Sequence, residues 1–123
     1  MIHFTATDGH PRNEDNGIYH GFLRGESLCG SDGTVLGEFR GDTMSDVSAT
    51  DFTTIMSAGT VFDGVPMHRA WTIDLHVDAE GRPWTVFSAR ARDDDSDHRF
   101  FYARWTGTEW LVREIARAAT AMI

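Results

Sequence analysis

Lysine is absent from this 123-residue sequence, and all 11 basic residues are arginines. A single cysteine, Cys29, excludes an intrachain disulfide and any cysteine-based zinc motif. Apolar runs are only a few residues long, which excludes a transmembrane helix. Residues 1–7 lack the basic and apolar segments of a signal peptide. Because a piece of a longer protein would also lack one, the compartment of this chain stays unknown.

The charge balance is strongly acidic, with 19 acidic residues, 11 basic residues and a formal net charge of −8. No basic stripe interrupts this charge, so we expect neither nucleic acid nor a membrane surface as a partner. Arginine without lysine is typical of a GC-rich genome or of salt adaptation. It also suits the bidentate capture of carboxylates, such as those of acidic sugars. Both interpretations remain open.

The second half of the sequence alternates apolar and polar residues with a period of two, most clearly over 70–77. One side of that predicted strand carries Trp71, Ile73, Leu75 and Val77. Further strands are predicted over 84–89, 98–105 and 110–115, and the acidic segment 92–97 is predicted as a loop. Four short strands joined by short loops form an antiparallel meander, which is the shape of one propeller blade.

The first half contains an incomplete second set of strands. Strands are predicted over 2–7, 18–24, 27–30 and 34–38, with a polar loop over 8–17. The stretch 40–66 has no strong period and is predicted as a long connection containing one short helix or strand, whereas the tail 116–123 is predicted as a helical turn or a loose end. The predicted division is an incomplete first blade at 1–39, a connector at 40–69, and a second blade with its tail at 70–123. The fold class is therefore all-β, with antiparallel four-stranded meander blades forming about two blades of a β-propeller.

Several strings carry a family resemblance. The first half contains IHFTATDGHPR at 2–12, IYHG at 18–21 and SDGT at 31–34, and the second half contains DAEGRP at 78–83 and HRFFYARWTG at 98–107. Together they resemble the BNR repeat proteins of the sialidase-like β-propeller group, including polysaccharide-lyase-like propellers. The resemblance implies a partial chain of a larger propeller, from bacterial proteins that bind or cut polysaccharides and are often secreted, so the parent protein is expected to be secreted or periplasmic.

Two features depart from that family's pattern. The string SDGT at 31–34 is shorter than the sialidase Asp-box and lacks its tryptophan. The chain is also too short to close a ring, because propellers need at least four blades. We therefore expect either a fragment or a chain whose copies associate through open blade edges.

Blade topology predicts which polar residues share a rim, because the b–c and d–a loops lie at the same end of a meander. The candidate catalytic residues on that rim are His10, His20 and His98, and the candidate substrate-binding residues are Arg12, Tyr19, Arg69 and Arg92. A uronate lyase needs this set: arginine neutralises the sugar carboxylate, and histidine or tyrosine removes the neighbouring proton. The alternative is that these side chains cap strands and pair with nearby aspartates.

No cofactor is expected. The acidic run with Asp93, Asp95 and Asp97 offers hard oxygen ligands for calcium, but it lacks the glycine and distal glutamate of an EF-hand loop, so a solvated acidic loop is expected. Four tryptophans could stack on sugars, and alternation places at least half of them in the core. Tyr102 is expected to pack as a blade aromatic.

The sequence thus predicts a fragment of a carbohydrate-active propeller that recognises or cleaves an acidic polysaccharide, with lyase-like chemistry. The alternatives are a non-catalytic glycan-binding or interaction module, or a structural fragment without activity of its own. The parent is expected to be a polysaccharide lyase or a glycoside hydrolase if it is an enzyme. The isolated chain is expected to be inactive, because a propeller's pocket draws residues from most of its blades.

Overall fold

The computed structural model describes residues 1–10, 15–40, 43–91 and 94–118. Its strands form two antiparallel sheets, which confirms the predicted all-β fold of meander sheets. The first sheet contains β1 (Ile2–Thr7), β2 (Ile18–Arg24), β3 (Ser27–Gly30), β4 (Val35–Arg40), β5 (Thr43–Met44) and β6 (Thr53–Met56). The second contains β7 (Thr60–Phe62), β8 (Val65–Val77), β9 (Pro83–Ala91), β10 (Asp94–Trp105) and β11 (Trp110–Arg117). A short 3-10 helix, Ala49–Asp51, precedes β6.

The first sheet has the order β1-β2-β3-β4-β5, and β6 pairs with β2. Two strands share one edge of β2: β3 pairs with its second half, and β6 pairs with its first half. The backbone N–H of Ser31 donates to Thr53 Oγ1 at 2.8 Å, which joins the end of β3 to the start of β6. The region predicted as a connector with one short element therefore holds three short strands besides the helix.

The second sheet is a continuous meander in the order β11-β10-β9-β8-β7. β8 begins at Val65, earlier than the predicted residue 70, because it also pairs with β7. The acidic segment 92–97 was predicted as a loop, and that prediction is wrong for its second half, where β10 begins at Asp94. The reason is backbone pairing with the preceding strand, because Asp94 pairs with Ala91 of β9, and an irregularity in the register then lies between Asp94 and His98.

A tight turn joins β8 to β9. Asp78 Oδ1 accepts hydrogen bonds from the backbone N–H groups of Glu80, at 2.9 Å, and Arg82, at 3.0 Å. Gly81 adopts a φ of 81°, a left-handed conformation that favours glycine. Because aspartate and glycine at these positions favour a turn, the sequence alone predicts where β8 ends and β9 begins.

The hydrophobic core lies between the two sheets. The first sheet contributes Ile18, Ile55 and Met56, and the second contributes Met67, Ala70, Phe87, Ala89, Phe101 and Ala103. The rings of Phe87 and Phe101 stack with their centroids 5.2 Å apart. Because Ile55, Met56 and Met67 come from the predicted connector, that segment helps to build the shared core. The division at 39 and 69 stays a prediction.

Asn16 fastens the first loop to the second sheet. Its side-chain Nδ2 donates to the carbonyl oxygen of Ala70 at 2.8 Å, and its Oδ1 accepts from the Ala70 N–H at 3.0 Å. Ala70 lies at a register shift of β8, between His68 and Trp71. The buried Asn16 amide therefore bonds to Ala70 as a neighbouring strand would, and it satisfies both backbone groups of that residue.

Two meander sheets of this kind are consistent with two partial propeller blades. Ile73 and Val77 leave apolar surface exposed on β8, and the expected self-association stays a prediction. Across the described ranges, no helix has the length and apolar character needed to cross a membrane.

Candidate functional site

Three basic side chains lie side by side on the second sheet. The strand register pairs His68 of β8 with Arg90 of β9, and pairs Arg90 with His98 of β10. Cross-strand partners project from the same face of a sheet. Because Arg90 alternates with the core residue Ala89, this face is the one turned away from the core. We call His68, Arg90 and His98 the cationic row.

A backbone irregularity brings Arg69 to the row. In a regular strand Arg69 and His68 would point to opposite faces, but Arg69 has a φ of 49°, in the left-handed region, at a register shift of β8. Both side chains consequently approach one carboxylate: Asp15 Oδ2 lies 3.4 Å from His68 Nδ1, and Asp15 Oδ1 lies 3.7 Å from Arg69 Nε. Non-glycine residues with positive φ are uncommon and cluster at functional sites.

His10 reaches the same face of the second sheet. Its ring meets the Trp71 ring edge-on, with centroids 5.6 Å apart. Trp71 pairs with Ser88, two residues before Arg90 on β9, so both pairs project from the outward face. The structure thus brings the predicted site residues His10, Arg69 and His98 to one face. Arg12 and Arg92 lie outside the described residues.

Tyr19 anchors the base of the loop that supplies His10 and Asp15. Asp8 Oδ1 accepts the backbone N–H of Gly17 at 2.8 Å, and Asp8 Oδ2 accepts the Tyr19 hydroxyl at 3.4 Å. Burial and the Asp8 carboxylate raise the pKa of Tyr19. The hydroxyl therefore stays protonated and positions the loop.

His20 belongs to a different, buried network. Its Nδ1 lies 2.7 Å from Ser31 Oγ, and its Nε2 lies 3.0 Å from His3 Nδ1. Ser31 Oγ also accepts the Trp110 indole N–H at 2.9 Å. Burial, helped by His3, lowers the pKa of His20 to about 3. Trp110 packs against the core, so His20 faces the core side of the second sheet, opposite to the cationic row.

Strand alternation explains this separation. Tyr19 and His20 are neighbours on β2, so their side chains project to opposite faces of the sheet. Blade topology predicts which end of a strand a residue occupies, but it does not predict which of two neighbours turns inward. The burial of His20 depends in part on Trp110, which comes from the last strand and lies far away in the sequence.

An open groove lies elsewhere on the outward face of the second sheet. It has a volume of about 300 Å³, and we call it the aromatic groove; its lining includes Asp74, His76, Trp84, Val86 and Tyr102. The rings of Trp84 and Tyr102 lie 6.1 Å apart with an interplanar angle of 17°. Tyr102 packs on a blade aromatic as expected, but it lines an open surface. Trp71 and Trp84 are exposed, Trp105 is buried, and Trp110 is partly buried against the core, so two of the four tryptophans lie on the core side.

The predicted calcium ligands are only partly described. Asp93 lies outside the described residues, as does the side chain of Asp95. Both oxygens of Asp97 accept hydrogen bonds from Arg99, at 2.8 and 3.0 Å. Among the residues that the structure describes, no group of three or more histidine, cysteine, aspartate or glutamate side chains could hold a metal ion.

Comparisons with protein-family models, with curated proteins and with solved structures found no match for this chain. The resemblance to BNR repeat proteins therefore depends on the sequence strings alone.

The outward face combines two kinds of chemistry. The cationic row and Arg69 carry guanidinium and imidazole groups, the chemistry that binds carboxylates and other oxoanions, and the Asp15 carboxylate already lies against His68 and Arg69. The aromatic groove offers flat apolar surface. Side chains of these types have the chemistry needed to bind an acidic, ring-shaped ligand.

Proposed function

We propose that this protein recognises an acidic polysaccharide through the cationic row, as part of a carbohydrate-active propeller. The observation that supports the proposal is the alignment of His68, Arg90 and His98 on neighbouring strands, with Arg69 beside them. The chain carries a net charge of −8, so an acidic ligand is repelled from most of its surface. A concentrated group of basic side chains is where such a ligand binds.

The geometry favours recognition over cleavage. A lyase needs a proton acceptor that can reach the sugar. Both ring nitrogens of His20 are engaged inside the protein, and the raised pKa of Tyr19 opposes its action as a base. His98 is also buried, although it lies in the row. Lyase-like chemistry is therefore the second proposal, and unsaturated reaction products would reveal it.

A matched pair of arginine variants tests the proposed site. Arg90→Gln removes a guanidinium from the row, and Arg113→Gln removes an exposed one from β11, where it donates to the carbonyl oxygen of Val112. Both substitutions change the net charge equally. We expect Arg90→Gln to weaken binding of an oligouronate by about tenfold, since a charge-assisted hydrogen bond is worth roughly 1.5–3 kcal/mol.

Isothermal titration calorimetry at low salt measures the effect, and added salt should weaken the interaction. Arg113→Gln should bind like the wild type. The proposal is wrong if Arg90→Gln retains full affinity for the oligouronate, or if both variants lose affinity equally.

A further inference from the structure

The aromatic groove contains an exposed tryptophan whose ring is held in place from several directions. Trp84 is 38% exposed. Its indole N–H donates to Asp78 Oδ2 at 2.9 Å, and the Arg104 guanidinium lies 5.7 Å from the centre of its ring. Tyr102 stacks beside it. Asp78 is itself fixed by the backbone of the turn that follows β8.

This arrangement is preorganised for a flat ligand. An isolated surface tryptophan loses side-chain freedom when a ligand stacks on it, and that loss weakens binding. Trp84 has already lost this freedom through its contacts with Asp78, Arg104 and Tyr102. A ligand that stacks on the ring consequently retains more of the contact energy.

The surroundings of the groove indicate the chemical class of the ligand. Trp84, Tyr102 and Val86 provide an apolar floor, and the exposed side chains of Asp74 and His76 provide hydrogen-bonding groups at the rim. A purely apolar ligand would desolvate these rim groups without compensation. A pyranose ring has an apolar C–H face and a rim of hydroxyl groups, which matches both parts. Acid and base are mixed at the rim, so a neutral ring fits better than a charged one.

The groove and the cationic row lie along one strand. Trp84 and Arg90 both project from the outward face of β9, six positions apart, which corresponds to about 20 Å. From this geometry we propose that the aromatic groove is a second sugar subsite, which binds uncharged pyranose rings of the polysaccharide whose acidic groups bind the row. The identity of that polymer rests on the proposed function. The stacking subsite itself is inferred only from the contacts of Trp84 with Asp78, Arg104 and Tyr102.

The test uses two ligands and three variants. A neutral cello-oligosaccharide probes the groove, and an oligouronate probes the row. Trp84→Ala removes the platform, and Trp84→Phe keeps an aromatic face without the indole N–H. Phe39→Ala is the matched control, because Phe39 is 42% exposed on β4 of the other sheet.

NMR titration provides the readout. The Trp84 indole N–H resonance, assigned by its loss in Trp84→Ala, reports contact at the groove in the wild type, and backbone amide resonances report the affinity of the variants that lack the indole. We expect the cello-oligosaccharide to shift this resonance. Trp84→Ala should weaken its binding by about tenfold, Trp84→Phe should weaken it less, and Phe39→Ala should leave it unchanged.

The outcomes separate this inference from the proposed function. If neither ligand perturbs the indole resonance while Arg90→Gln still weakens oligouronate binding, the groove inference is overturned and the proposed function stands. If the cello-oligosaccharide binds through Trp84 while Arg90→Gln has no effect on the oligouronate, the subsite stands and the proposed function fails. A resonance that shifts with protein concentration alone would overturn the inference in favour of a second copy as the occupant.

Discussion

The inner and outer sides of the second sheet use polar and aromatic side chains in opposite ways. On the inner side, where the two sheets meet, the buried polar groups of His20 from the first sheet and Arg99 from the second are bonded to defined partners. On the outer side, the aromatic rings of Trp71 and Trp84 remain exposed. Buried polar networks fix how strands and sheets pack together, whereas exposed apolar surface is available for contact with a ligand or a partner. The buried polar contacts therefore lie on one face of the sheet, and the proposed binding residues lie on the other.

The largest effect expected on the inner side comes from Arg99→Ala. Arg99 is 1% exposed and donates to both oxygens of Asp97 and to the carbonyl oxygen of Phe62. Its removal leaves carboxylates without their cation, so we expect a loss of about 3 kcal/mol in the free energy of unfolding. Urea denaturation measures it. Arg117→Ala, at a partly exposed arginine of the same network, should have a much smaller effect; equal losses would contradict the distinction.

Asn16→Ala should cost somewhat less. The substitution leaves the N–H and C=O groups of Ala70 buried without their partner, at roughly 1–3 kcal/mol for each group. We expect the lower part of the summed range, about 2–3 kcal/mol in thermal or urea unfolding, because water can enter the space that the amide leaves and bond to both groups. Asn16→Asp keeps an acceptor but cannot donate to the Ala70 carbonyl, so it should also destabilise the fold. An Asn16→Ala variant as stable as the wild type would show that the two hydrogen bonds between Asn16 and Ala70 do not stabilise the fold.

The predictability of the fold differs between the two sheets for a physical reason. The four main strands of the second sheet pair with the strands next to them in the sequence. Turn residues such as those at 78–82 predict where one strand ends and the next begins. The sequence does not predict β6 as a strand, because its residues Thr53-Thr54-Ile55-Met56 show no alternation and its partner β2 lies far away in the sequence. Long-range pairing of this kind leaves no local signal.

The candidate site shows the same limit. Topology predicted that His10, Arg69 and His98 share a region, because each lies at or near the end of a loop that meets the same sheet. It did not predict the inward turn of His20, whose partner Trp110 comes from the last strand. Alternation predicted that at least half of the tryptophans would lie in the core, but only the register identifies Trp84 and Tyr102 as neighbours across β9 and β10.

A pH titration of stability examines the buried histidine network. The fold lowers the pKa of His20 from 6.5 to about 3, so the unfolded chain takes up a proton first as the pH falls. The stabilisation is complete above the unfolded pKa and is lost progressively as the pH falls from there toward 3. Between pH 6.5 and about pH 5 the loss should be about 2 kcal/mol. His3, whose pKa is also lowered, acts in the same direction.

Urea denaturation across this pH range measures the slope, and His20→Gln is the control. That variant should be less stable at neutral pH, but its stability should depend less on pH than that of the wild type. An identical slope in both proteins would assign the pH dependence to other groups.

The smallest effect on stability is expected on the outer side. Trp84→Ala should lower the free energy of unfolding by about 1 kcal/mol, because the partly exposed side chain loses its contacts with Asp78, Arg104 and Tyr102 but leaves no buried cavity. Trp105→Ala, the matched change at a buried tryptophan, should cost about 3 kcal/mol. Thermal denaturation compares the two variants. A large loss in Trp84→Ala would give this ring a structural role and erase the contrast between the two faces.

The most direct test of acidic-glycan recognition compares an oligouronate with its carboxyl-reduced counterpart, which has the same length and linkages but no charge. Dissociation constants are measured by calorimetry for the wild type and for Arg90→Gln. We predict that the wild type binds the oligouronate about tenfold more tightly than the reduced form, and that Arg90→Gln removes most of this preference. Equal affinity of the wild type for both ligands would contradict the account.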